Sequence, residues 1–127
     1  MQDKTIQIAM IGAGETGTPL LKQLLTADFV NVLTIADLDD NAVGMKLARQ
    51  HGVATTNDFM NIAKMGEKID IIIDVTGVAK VREQLRHYLY DNGNHHTVIM
   101  HERIAILLMS LIEGKLVDMK HGDIEYD

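Results

Sequence analysis

Short apolar runs rich in β-branched residues alternate along this chain with segments whose apolar residues recur at helical spacing. That alternation restricts the fold more than any other feature. Thr5 to Ile11 (TIQIAMI), Val30 to Ala36 (VNVLTIA), Val53 to Thr56 (VATT), Ile69 to Val75 (IDIIIDV) and Thr97 to Met100 (TVIM) read as strands. Between them the spacing predicts helices over Glu15 to Ala27, Asn41 to Gln50, a third ending at Met65, and Ala79 to Tyr90; Arg103 to Glu113 follows the fifth strand. Asp40 is the expected cap of the second helix and Thr56 or Asn57 that of the third, with Gly66 as its stop. Leu116 to Met119 is expected to be a short last strand. Strands joined through helices need crossover connections, so the pattern predicts an α/β fold, a doubly wound parallel sheet with helices on both faces.

At 127 residues the chain is expected to form a single domain, with a core over residues 5–101 and a C-terminal helix and strand over 102–127. Its net charge of −6 disfavours a general nucleic-acid or anionic-membrane role. There is no cysteine, so no disulfide, thiolate metal site or thiol nucleophile can form from these residues. The apolar run before the first glycine is too short for a signal peptide or a membrane span, and a cytoplasmic location is expected.

Gly12, Gly14 and Gly17 form G-x-G-x-x-G directly after the first strand, at the start of a helix. In that context the first glycine permits a tight turn, the second a close approach to a pyrophosphate, and the third close packing of helix on strand. An acidic residue closing the second strand is the independent companion of this loop, because it accepts ribose hydroxyls. Asp37 stands at that point and would repel a ribose phosphate, so NAD is expected in preference to NADP. Glu15 lies inside the loop and is expected to face solvent.

With these residues, "IADLDDNAVGMKLARQHGVATT" and "IDIIIDVTGVAKVREQL", residues 5–101 resemble the N-terminal NAD(P)-binding Rossmann domain of a broad dehydrogenase group. That group includes homoserine, aspartate and acylating acetaldehyde dehydrogenases and the glucose-fructose oxidoreductase and inositol dehydrogenase family. The resemblance implies that Gly12, Ala13, Gly14, Glu15, Thr16 and Gly17 hold the pyrophosphate, Asp37 the ribose, and Leu38 the flank of the adenine. It also implies that Val75, Thr76 and Gly77 run along the nicotinamide half. The chain departs from these relatives in lacking the cysteine nucleophile of the acylating enzymes. It also has Glu102, Arg103, Ile104 where others carry Glu-Lys-Pro, and an arginine stays protonated and cannot replace a lysine as a base.

No substrate domain is expected in residues 102–127, so the leading reading is a free-standing NAD(H)-binding module, dimeric, that senses nucleotide or redox state and passes it to a protein partner. The alternative is a minimal NAD-dependent oxidoreductase whose substrate site is completed by a second protomer or another subunit, with His101 as acid or base. A helix-capping role for His101 is the stronger expectation. His95, His96 and His101 cluster near the fifth strand without metal-ligand spacing, and no metal is expected. Ile104 to Ile112 is apolar almost all round, so a homodimer through residues 103–120 is expected, against a helix enclosed within a monomer.

Overall fold

The computed structural model of the chain describes residues 4–117. Its elements are β1 (Ile6–Ile11), α1 (Thr18–Thr26), β2 (Val30–Ala36), α2 (Val43–Gln50), β3 (Ala54–Thr56), α3 (Met60–Ala63), β4 (Ile71–Asp74), α4 (Ala79–Asp91), β5 (Val98–Met100) and α5 (Glu102–Glu113). All strand pairs are parallel, in the order β3-β2-β1-β4-β5. The chain starts at the centre of the sheet, builds out to β3, then crosses back to lay β4 on the other side of β1. That reversal opens a crevice at the carboxyl ends of β1 and β4, where a doubly wound sheet takes its ligand.

Because the central strands are covered on both faces, their residues are apolar without alternation. One core layer joins Ile8, Met10, Ile35 and Ile73 to Leu20 and Leu21 of α1, Met45 of α2 and Met109 of α5. The opposite layer joins Ala9, Ile11 and Ile72 to Ile62 of α3 and to Leu85 and Leu89 of α4. At the amino ends Asp70 ties three strands together. Its carboxylate accepts the Gln7 N–H at 2.8 Å and meets His96 Nε2 at 2.6 Å, while its carbonyl accepts the Val98 N–H at 2.9 Å. The Gln7 backbone bond first, and the His96 contact second, hold this carboxyl below the usual aspartate range.

Several local expectations differ from what is observed. α2 begins at Val43 with Ala42 in the cap position, and Asp40 does not cap it. Asp39 instead shapes the approach, accepting the Asn41 N–H at 2.9 Å. One amide of the first turn of α2, Gly44 N–H, donates to Ala13 O at 2.7 Å. The third helix is shorter than expected. The Asp58 carboxylate accepts the Met60 N–H at 3.0 Å to start it, it ends at Ala63 rather than Met65, and a separate 3-10 turn follows over Gly66–Lys68. Leu116 and Val117 form no strand, and the rest of that predicted strand, 118–119, lies outside the described residues. α5 leaves Ile104, Leu107, Leu108, Leu111 and Ile112 exposed among the described residues.

Gly44 is the contact that sequence periodicity does not reveal. A Cβ there would lie 2.7 Å from Ala13 O and 2.9 Å from Ala13 Cβ, so α2 can approach the glycine loop only without a side chain. Gly44→Ala is therefore expected to destabilise the fold by about 1–3 kcal/mol in urea unfolding, the usual cost of overpacking a well-packed contact. Gly14→Ala, whose added methyl meets nothing within 4 Å, is expected to change stability by less than about 0.5 kcal/mol.

Candidate functional site

β1 ends at Ile11, and the turn that follows is held from three sides by backbone bonds. Gly12 N–H donates to Ala36 O of β2 at 2.8 Å, Val75 N–H donates to Ile11 O at 2.9 Å, and Gly44 N–H donates to Ala13 O at 2.7 Å. Gly12 has φ +100, and a Cβ on it would press on Val75 at 3.0 Å. Both the dihedral and the contact require glycine. A Cβ on Gly17 would meet the Met10 methyl at 2.9 Å, which is the close helix-on-strand packing expected of the third glycine.

Asp37, just past β2, turns its carboxylate back toward this loop. Its Oδ2 accepts the Ala13 N–H at 2.7 Å and its Oδ1 accepts the Asp39 N–H at 2.9 Å. An ionised carboxylate has about four acceptor sites, so both oxygens retain capacity for hydroxyl donors. On the other side of the crevice the Asp74 carboxylate, fully buried at the end of β4, accepts from Thr76 N–H at 2.9 Å and Thr76 Oγ1–H at 2.7 Å. Thr76 Oγ1 in turn accepts the Val78 N–H at 3.1 Å. The turn after β4 is thus rigidly shaped by one buried acid.

Between these two anchors lies a cavity of about 560 Å³. The structure brings Gly12, Gly14, Glu15, Thr16, Gly17, Asp37, Leu38, Val75 and Thr76 to its wall. Ala13 is not among the lining residues; it is buried, with its N–H on Asp37 and its carbonyl on Gly44, so it shapes the loop from behind. Gly77 is not in the wall either and turns the chain with φ +71. Glu15 is exposed and also borders the cavity.

Sequence reasoning missed Phe59, Val78 and Val81, which complete the wall. Phe59 follows the carboxyl end of β3, and Val78 follows the Thr76 turn; that position at the carboxyl edge of the sheet is the signal that could have drawn them in. Leu38 is 90% exposed and Val78 48%, Phe59 is half-buried, and all three rim the same opening. Large apolar side chains gathered at one mouth mark a surface that expects a ligand.

His101 occupies the cap of α5. Its Nδ1 accepts the Arg103 N–H at 2.9 Å, which in the neutral ring places the proton on Nε2. It does not line the cavity around the glycine loop. Glu102, Asp74 and Arg82 are buried in the same region, with Arg82 Nη1 3.7 Å from Asp74 Oδ2. His96 meets Asp70 while His95 and His101 border a different space beside β5, and among the described residues no three His, Asp or Glu side chains gather to hold a metal. None of the described helices is long and apolar enough to cross a membrane.

Comparison with known proteins agrees with this geometry. No family model matches the chain. It is 31% identical to an acetaldehyde dehydrogenase of Roseiflexus sp. over 118 residues, 92% of this chain and 35% of that protein. With an acetaldehyde dehydrogenase of Shewanella woodyi it shares 32% identity over 96 residues, 73% of this chain and 30% of the relative. Among solved structures, the myo-inositol 2-dehydrogenase of Lactobacillus plantarum superposes with a TM-score of 0.60 at 18% identity, covering 87% of this chain and 33% of that one. The WlbA dehydrogenase of Chromobacterium violaceum, solved with NADH and UDP-GlcNAcA, superposes with a TM-score of 0.59 at 16% identity, covering 91% and 34%. The chain therefore has the Rossmann fold of these dehydrogenases and resembles the acetaldehyde dehydrogenases in sequence, spanning about a third of the length of each.

Proposed function

We propose that this chain binds NAD(H) across the carboxyl ends of β1, β2 and β4. The observation that carries the reading is the single cavity that unites the glycine loop, Asp37 and an apolar rim of exposed Leu38 and half-buried Phe59. The residues fit the dinucleotide part by part. Nothing lies within 4 Å of where a Gly14 Cβ would stand, which leaves open space over the loop for a pyrophosphate. Asp37 presents acceptors for ribose hydroxyls, and Leu38 with Phe59 offers apolar surface for an adenine. Thr76 and Val75 extend the wall toward the nicotinamide half. No lysine or arginine is among the described lining residues, so a ribose phosphate would meet Asp37 without a compensating cation from them. The NADH present in the solved Chromobacterium dehydrogenase is in keeping with this assignment.

The cofactor, when bound, would supply hydride chemistry, but among the described residues the ionisable side chains in the wall are Glu15 and Asp37. Neither is a histidine, lysine or tyrosine of the kind that commonly moves a proton beside a nicotinamide. This favours a binding and sensing module, whose occupancy reports nucleotide or redox state to a partner, over the oxidoreductase alternative. Under that alternative His101 would have to reach the cavity with its Nε2, and it is not among the residues that line it.

Assembly as a homodimer through α5 is part of the same proposal. Leu107 is 54% and Leu111 70% exposed, and together with Ile104, Leu108 and Ile112 they present an apolar patch on the order of 500 Å² on one helix. A patch of this size on each of two copies falls below but near the area of a standard interface.

Calorimetric titration is expected to show NADH binding at least tenfold tighter than NADPH. Gly14→Ala should weaken NADH at least tenfold while leaving the fold intact, and Asp37→Asn should narrow the NADH to NADPH gap. Absence of binding of NAD+ and NADH at millimolar concentration would overturn the reading. Light scattering is expected to give twice the monomer mass, reverting to monomer in a Leu107→Glu/Leu111→Glu double variant that still binds NADH; a monomeric parent protein would remove the dimer.

A further inference from the structure

A second cavity, of about 410 Å³, lies along β5 on the α4 side of the sheet. β5 is an edge strand that pairs only with β4 among the described residues. Arg82, Arg86, Leu89 and Tyr90 reach the cavity from α4 at positions i, i+4, i+7 and i+8, which is one face of that helix. His95 comes from the turn before β5, and Ile99 and His101 from alternate positions of the strand and its end. The volume lies within the about 300–1,000 Å³ typical of small-ligand sites.

Its chemistry is the opposite of the first cavity. None of the described lining residues is acidic, while two arginines and two histidines face it, in a chain of net charge −6. Arg82 and His101 are buried, and Arg86 and His95 are exposed. The side chains of Arg86, His95 and Tyr90 make no hydrogen bond or ion pair with any described residue. A guanidinium, an imidazole and a phenol with open hydrogen-bonding capacity therefore surround an apolar patch of Leu89 and Ile99. The planar fork of arginine suits a two-oxygen anionic head, and the aliphatic side chains suit the body that carries it.

We propose that this cavity binds a small organic oxyanion, a carboxylate or phosphate monoester on a compact apolar or aromatic body, with Arg86 holding the head and Leu89 and Ile99 the body. The site is separated from the dinucleotide cavity by one chain of contacts. Arg82 lines it and lies 3.7 Å from Asp74, and Asp74 holds Thr76, which lines the other cavity.

Amide chemical-shift titrations of the full chain with benzoate, phenyl phosphate and inorganic phosphate test this. Benzoate or phenyl phosphate is expected to give saturable shifts at Arg86, Leu89, His95 and Ile99, and the tighter of the two identifies the head group. Arg86→Gln should weaken that binding at least tenfold while leaving thermal unfolding and NADH titration unchanged. No saturable shift at roughly 20 mM, a concentration that would reveal even millimolar affinity, would overturn the proposal. So would unchanged binding by Arg86→Gln, or inorganic phosphate binding as tightly as both organic anions. NADH binding is measured separately, so failure here leaves the dinucleotide reading standing.

Discussion

Two hydrogen bonds on one small residue hold the glycine loop in place. Ala13 donates its N–H to Asp37 at 2.7 Å and receives the Gly44 N–H on its carbonyl at 2.7 Å. The first ties the loop to the end of β2 and the second to the first turn of α2, so loop, strand and helix cannot move independently. Each bond contributes on the order of 1 kcal/mol net, but a buried amide left without its acceptor would cost about 1–3 kcal/mol. Asp37 consequently has two tasks, closing the loop and presenting oxygens to the cavity. A loop already fixed loses little conformational entropy when a ligand settles on it, which makes the site a preorganised one.

Charge is distributed across the sheet in a way that mirrors this division. The cavity over the glycine loop is bounded by Glu15 and Asp37, and the groove beside β5 by Arg82, Arg86 and two histidines. Between them sits a layer containing Asp74 and Arg82, both almost completely removed from water. A buried ion pair is weak evidence for stability, because desolvation offsets most of its attraction. Its visible consequence is positional: Asp74 is held so that both donors of Thr76 converge on one of its oxygens. The turn that borders the dinucleotide cavity is therefore shaped from the cationic side of the sheet.

Strand and helix order was legible because it depends on local periodicity: β2 spans the same Val30–Ala36 predicted from its β-branched run. The wall of the candidate cavity was legible where a motif carries it, at Gly12, Gly14, Gly17 and Asp37, and at the Thr76 turn where the fold rule does. What escaped is long-range. Gly44 meets Ala13 across 31 positions of sequence, and nothing near Gly44 announces that contact. Asp40 looked like a helix cap because it is acidic and precedes an apolar pattern. The start of α2 is set instead by its docking on the loop, and Asp39 organises the turn before it. Phe59 reads as an ordinary helix-face aromatic until the sheet brings the end of β3 beside Asp37.

α5 shows the same limit from the other direction. Its sequence is apolar almost all round, which periodicity alone cannot divide into an inner and an outer face. Packing divides it: Ala105 and Met109 meet the core layer formed with α1 and the sheet, and the opposite stripe from Ile104 to Ile112 stays in contact with solvent. A helix covered on only one side normally carries polar residues on the other. α5 instead has Leu107 and Leu111 at the centre of its outer stripe, so its composition is that of an element lying between two layers. The described residues supply one of those layers, and a second copy of the chain, meeting the same stripe about a two-fold axis, would supply the other without any further sequence feature being needed.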